Sequence, residues 1–496
     1  MRNRLTVFLT AAALTIGTAA AAVPVQAASV HTPAHTPGPQ IKLIAAQNSI
    51  SVPGFKKNKT GTQAFVFVDP GIWLASLGSA LQFDVARASY TKPVTLTQVI
   101  SRPGQPPLNR PLPASLLDGW NGLKNMVSLT VKDSKGKVVA SQKLTVCPNA
   151  YDSERASPDG PDTSPYPLQC AAFDPFPVGE VWGIAKGWAI DPAQNGQVLT
   201  LNLGSTYKVT ETIAPAFASL LGIPARDATA AVAMAVVPPP PCCAAAGRAR
   251  PRAGALASHP AVPTLNNPPK SVLPDLVPLP AWGISARHVS GHDLLQFAAT
   301  VWVGGNGPLD VEGFRSGGSP VMTAYQYFYK DGKVIGRVRA GTMGFDSAQG
   351  HNHWHFQQFA EYQLLGASKK LVLRSQKVGF CIAPSDAVDM LLHGALWRPS
   401  FIGLFGQCGS PTALWVREMM PLGWGDTYQQ SVAGQAFDIT SVPNGTYYVE
   451  VVANPERVLH ETSTANDVSL RQVILSGTKG HRHVKVPAWN GIDPEG

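Results

Sequence analysis

Short runs of apolar and β-branched residues, cut every few positions by Gly, Pro, Asn or Asp, dominate the chain. Ala64–Val68, Gln82–Ala88, Met126–Lys132 and Lys137–Val146 read as strands, the last two joined at Ser134-Lys135-Gly136, whose composition suits a hairpin turn. Val198–Leu203 and Thr206–Thr212 predict another strand pair about Gly204. Farther on, Thr323–Lys330 and Lys333–Ala340 bracket Asp331-Gly332, a two-residue hairpin signal, and Gly445–Ala453 is a β run introduced by Pro443-Asn444-Gly445. One short helix is expected over Ser385–Ala395, with Ser385 or Asp386 as its cap. The predicted fold class is all-β, with helix only in short pieces.

Composition agrees. Only 14% of the 496 residues are charged, Gly (46) and Pro (44) are abundant, and 44% are hydrophobic. That excludes a disordered polyampholyte, a coiled coil and a collagen-like fibre. Pro238–Pro269 holds nine Pro in 32 residues and reads as a semi-stiff spacer. The chain then divides into five parts: 1–28 a signal peptide, 29–237 a β-sandwich-like accessory domain, 238–269 a Pro/Ala/Arg linker, 270–476 a second β-rich domain, and 477–496 a tail. The signal reading rests on Arg2 and Arg4 before an apolar run to Val25, with Val25-Gln26-Ala27 offering small residues at a cleavage site. It predicts a secreted protein, extracellular or in the cell envelope, with no membrane span after signal removal. In that setting Cys147 and Cys170 are expected to pair across the loop between them.

Charge narrows the partners. Of the formal +9, the spacer carries three Arg (Arg248, Arg250, Arg252) and no acid, while residues 270–496 hold 18 charges of each sign. A nucleic-acid reader concentrates basic charge on its folded surface, so nucleic acid is not an expected partner. Cell-envelope polymers are a conceivable partner of the first block, which shows no catalytic constellation. The three Arg also make the spacer an accessible site for proteolytic processing, and Cys242-Cys243 within it could cross-link chains or lie idle.

The densest chemistry is His351-Asn352-His353-Trp354-His355. Residues i, i+2 and i+4 of a strand project from one face, so three imidazoles can converge on one ion. Three nitrogen ligands with open positions suit Cu(II) or zinc. The plainer alternative is a polar strand face hydrogen-bonded to its neighbours. His481-Arg482-His483 sits in a tail expected to be mobile, and Ser290-Gly291 argues against a helix that would bring His288 and His292 together.

The run HNHWHFQQFAEYQLL (His351–Leu365) resembles the copper-binding segment of the lysyl oxidase family. Leu273-Pro274-Asp275-Leu276-Val277-Pro278 resembles the motif opening that family's catalytic domain. Lys377-Val378-Gly379-Phe380-Cys381 is similar to the segment carrying its cross-linked lysine, and Gly423-Trp424-Gly425-Asp426-Thr427-Tyr428 to the segment carrying its modified tyrosine. Phe437-Asp438-Ile439-Thr440, Pro443–Tyr447, Asn454-Pro455 and Asn466 follow in the family's order, so the likeness covers roughly 272–476. It implies a lysyl-oxidase-like β-sandwich catalytic domain. It also implies copper on His351, His353 and His355, and a lysine tyrosylquinone cofactor made from Lys377 and Tyr428. The implied activity is oxidative deamination of peptidyl lysine or other primary amines with O₂, giving aldehyde, ammonia and H₂O₂. Asp426 is a candidate catalytic base, with Glu361 and Asp389 behind it.

Cys381 and Cys408 alone lie within this region and, 27 residues apart, form the expected staple. Trp424 stands where animal domains carry a Cys, a pattern closer to the family's bacterial branch, so collagen and elastin are not implied as substrates. Two other functions use the same residues differently: a zinc hydrolase or copper carrier without the Lys377–Tyr428 link, or a non-catalytic envelope-binding β protein.

Overall fold

Inside–outside alternation runs through the strands: in Gln63–Val68, Ala64, Val66 and Val68 are buried while Gln63, Phe65 and Phe67 face out. The computed structural model describes residues 39–58, 61–170, 173–193, 197–239, 262–315, 319–347, 353–399, 408–411 and 413–495. The proposed signal, Cys242-Cys243, most of the spacer and His351 lie outside the described residues. Among the described residues the protein is almost wholly β, with one α-helix, Pro215–Leu221, and two single 3-10 turns. The helix starts on Pro215, whose missing N–H costs nothing there, and stops at Gly222, which takes the left-handed conformation (φ 65°). None of the described helices is long and apolar enough to cross a membrane.

The first half is built around a seven-stranded sheet and two four-stranded sheets. Its core is a single cluster that includes Phe83, Trp182 and Val209. Gln197–Asn202 and Thr206–Ile213 are strands, but they do not pair with each other. The first lies against Gln63–Val68 and the second between Thr229–Val237 and Leu123–Asp133. Three other strands claim their backbone groups, so tertiary pairing prevails over the local turn. Cys147 and Cys170 are bridged. Beside them the buried Asn149 donates to the Gln169 and Val181 carbonyls (both 3.0 Å) and accepts from the Gly183 N–H (2.9 Å). Asn149→Ala strands two buried backbone groups and one partly buried carbonyl and is expected to cost about 2–4 kcal/mol, read as a lowered urea midpoint.

The second half packs three sheets about a second core containing Phe297, Trp354, Tyr362 and Phe380. The hairpin at Asp331-Gly332 forms as expected between Val321–Lys330 and Lys333–Asp346. No helix forms over Ser385–Ala395. The Asp386–Ala387 strand pairs with Gly425 and Trp424, the Val388 N–H bonds the Gly423 carbonyl, and the Met390 N–H bonds Gly179 O. Cross-strand partners claim the backbone groups a helix would have paired internally. The tail is also ordered in part: His481–Lys485 is an edge strand on Val468–Thr478.

The halves meet directly. Val178 N–H bonds Val388 O (2.7 Å), and Phe173 N–H bonds the Asp386 carboxylate (2.6 Å). Phe176, Leu279 and Val388 form a small apolar cluster there, with Tyr90 and Trp489 against it. Strand Trp424–Tyr428 therefore has the core of the second half on one flank and this junction on the other.

Candidate active site

His353–Phe356 is the edge strand of a five-stranded sheet, paired so that Gly344 faces His355 and Asp346 faces His353. Alternation sends Trp354 and Phe356 into the core and His353 and His355 to the opposite face. The Trp354 indole N–H donates to Ser410 O (2.9 Å), which locks the strand's rotation. Both histidines are buried, and their Nε2 atoms stand 2.9 Å apart. That is close to the ~2.9 Å between two nitrogens bound at right angles, each ~2.0–2.1 Å from one ion. Asp346 lies 3.6 Å from the His355 Nδ1, on the far side of the ring, where a carboxylate orients a ligating imidazole. The donor set thus suits a divalent transition ion, although among the described residues no trio of ligands is complete.

A short segment after strand Leu371–Arg374 carries the lysine. The Ser375 hydroxyl accepts from the Lys377 N–H (3.0 Å) and donates to Gly434 O (2.7 Å), tying this segment to the loop after Tyr428. Gly434 has φ 85°, and a Cβ there would sit 3.0–3.1 Å from Lys377 N, Cα and Cβ. Gly379 is pressed against strand His353–Phe356: its Cβ would stand 2.8 Å from His355 Cβ. Phe380 then exchanges two backbone hydrogen bonds with Phe356, and Cys381 is bridged to Cys408. The sequence Lys-Val-Gly-Phe-Cys therefore reads as amine, spacer, close approach, strand clamp and staple.

Tyr428 and Asp426 come from strand Trp424–Tyr428 and, two residues apart, share its face. The Tyr428 hydroxyl donates to Cys381 O (3.1 Å), and its ring meets Phe380 edge-on at 5.1 Å. Lys377 Nζ lies 4.4 Å from the centre of the Tyr428 ring. The lysine is 5% exposed, and burial lowers its pKa from 10.5 to about 8, against the opposing pull of Asp426 and Asp346. Burial likewise pushes the Asp426 carboxyl well up, with the Tyr428 hydroxyl and Lys377 pulling it back. The Tyr428 phenol is driven upward by burial and then by Asp426, Glu418 and Tyr362.

Of the residues singled out from sequence, His353, His355, Lys377, Asp426 and Tyr428 are brought to one region; His351 lies outside the described residues. The alternative bases are engaged elsewhere: Glu361 pairs with Arg374 and Gln363, and Asp389 caps the Leu391 N–H. Four contributors had not been anticipated: Asp346, Ser375, Gly434 and Glu418. Only Glu418 left a signal, as an acid at the buried register of Trp415–Met420, between Val416 and Met420. Its carboxylate accepts from the Ile382 N–H (3.0 Å). A cavity of about 410 Å³ opens over His355, Asp346, Gln357 and Lys377.

The all-β fold thus sets a buried histidine pair beside a buried lysine and the tyrosine whose ring it approaches. Residues 412–484, which include Asp426 and Tyr428, match the family model of lysyl oxidase. Lysyl oxidase homolog 4 of Mus musculus is 27% identical over 141 residues, 28% of this chain and 17% of the relative. Lysyl oxidase homolog 2 of Bos taurus is 27% identical over 119 residues, 24% of this chain and 13% of the relative. The match thus spans only 13–17% of the length of these curated relatives. This C-terminal region is therefore similar to the lysyl oxidase family.

Proposed function

We propose that the protein is an exported copper-dependent amine oxidase whose quinone cofactor, lysine tyrosylquinone, is made from Lys377 and Tyr428. Its reaction converts a primary amine, O₂ and water to an aldehyde, ammonia and H₂O₂, acting on peptidyl lysine or smaller amines in the cell envelope or outside it. The carrying observation is the 4.4 Å approach of the Lys377 amine to the Tyr428 ring beside two facing imidazoles. Copper held by His351, His353 and His355 would supply the oxidising and O₂-activating chemistry, and the quinone the electrophile that takes up the substrate amine.

The chain's own residues do the rest. Burial gives Lys377 a neutral, nucleophilic fraction near pH 7 that a surface lysine lacks. Phe380 and the Cys381 carbonyl fix the plane and hydroxyl of Tyr428, while Ser375 and Gly434 fix the lysine backbone. Asp426 is the proton acceptor, because a carboxyl raised by burial is a stronger base than one in water. The cavity over Lys377 admits the amine from solvent.

A tryptic mass map with a copper assay tests the reading. A covalent bridge between the Lys377 and Tyr428 peptides in copper-loaded protein supports it; intact separate peptides after copper loading in air overturn it. Positioning can be tested apart from chemistry. Gly434→Val leaves every reacting group in place but pushes on the Lys377 backbone, and is expected to slow bridge formation about 10²-fold at unchanged copper content.

A further inference from the structure

A second cavity, of about 290 Å³, lies where the two halves of the chain meet. Tyr151, Phe173, Trp397 and Trp424 supply aromatic walls, and Glu180 of strand Gly179–Ile184 lines it from the first half. Trp424 stands four residues before Tyr428 on one strand, roughly 13 Å away at 3.3 Å per residue, so this space is separate from the cavity over Lys377.

The polar inventory of the walls is nearly spent. The Trp397 indole N–H donates to Met390 O (3.1 Å) and that of Trp424 to Leu396 O (2.6 Å). What both rings have left to offer is π-surface, which attracts cations. Arg398 is exposed, and its guanidinium donates to Ser164 O (3.3 Å). Glu180 differs: it is fully buried, and neither carboxyl oxygen has a hydrogen-bond partner. Native proteins rarely leave such a group unmatched, because an unpaired buried carboxyl costs stability that a donor from outside would restore. Burial raises its pKa well above the ordinary range, and Asp386 and Asp389 push it the same way. The charges of Asp386 and Asp389 make the potential at Glu180 negative, which a positive ligand relieves and a neutral donor does not.

We infer that this junctional cavity binds an alkylammonium group, with the cation against the Trp397 and Trp424 rings and its charge beside Glu180, and the alkyl stem along the apolar wall. The site is distinct from the proposed catalytic centre and does not depend on the oxidase reading.

Choline is the probe, because a quaternary nitrogen has no N–H and cannot be deaminated as a primary amine. Titration into the full-length copper-loaded protein, followed by calorimetry and tryptophan fluorescence, is expected to give saturable 1:1 binding. The neutral isostere 3,3-dimethylbutan-1-ol should bind at least about tenfold more weakly, as should choline to Glu180→Gln and to Trp397→Ala. Binding to Lys377→Ala should be unchanged. A short peptide carrying Nε-trimethyllysine separates the sources: tighter binding than choline identifies a peptidyl lysine, weaker binding a free amine. Equal binding by Glu180→Gln, equal binding of the isostere, loss of binding in Lys377→Ala, or no choline binding at millimolar concentration each overturns the assignment. Should Glu180→Gln lose its native circular dichroism, Trp397→Ala and the isostere comparison decide.

Discussion

Lys377→Ala is expected to reduce H₂O₂ production to background while leaving the fold and copper content unchanged, and Lys377→Arg to do the same. Arginine keeps length and charge but does not deprotonate, so it tests whether the residue serves as a nucleophile or as a cation. The pH dependence of cofactor formation carries the same argument further. Only the uncharged amine can add to a ring, and burial lowers this lysine's pKa from 10.5 to about 8. At pH 7 the neutral fraction is then about 10%, against roughly 0.03% for an unshifted lysine. Below pH 8 that fraction drops about tenfold per unit, so bridge formation after copper is added to apo-protein should accelerate as pH rises and level off just above 8. Mass spectrometry of time points at pH 6, 7, 8 and 9 checks it. A flat profile, or an active Lys377→Arg, would remove Lys377 from the cofactor.

Much of this arrangement could be read before any coordinates. Strands bounded by strong turns, such as the pair about Asp331-Gly332, are local: a two-residue turn sets register whatever lies beyond. The two-residue spacing of His353 and His355 likewise projects both rings from one face as soon as the strand forms. What escaped was non-local. Ser385–Ala395 has caps and spacing compatible with a helix, yet its backbone is claimed by Gly423, Gly425 and Gly179 from distant strands. The strand at His481–Lys485 exists because Val468–Thr478 presents an open edge, a fact absent from its own polar sequence. Gly434 packs on Lys377 from nearly sixty residues away, and Ser375 matters because its hydroxyl reaches that same distant glycine; nothing in their own neighbourhoods marks them. Nor does Glu180 stand out in the first half, because its significance comes from Asp386, Trp397 and Trp424 in the second.

The second large effect concerns the Cys381–Cys408 bridge. It closes a loop of 27 residues, and in the chain-entropy picture that constraint on the unfolded chain is worth about 3–4 kcal/mol. Cys381→Ser is therefore expected to lower the urea-unfolding free energy by roughly that amount, and Cys408→Ser by the same. The bridge also lies at the site. Cys381 O receives the Tyr428 hydroxyl, Phe380 beside it braces the Tyr428 ring, and the Ile382 N–H is held by Glu418. Losing the staple should let this segment move away from Tyr428 while the histidine pair, held by its own sheet, stays in place. The two serine variants should thus bind copper normally yet form the Lys377–Tyr428 bridge slowly, an uncoupling that simple global instability cannot produce. Copper content measured beside bridge yield, in buffer well below the unfolding midpoint, separates the cases. If copper and bridge fall together, the disulfide serves the fold alone; if bridge formation falls while copper stays bound, it also positions the tyrosine.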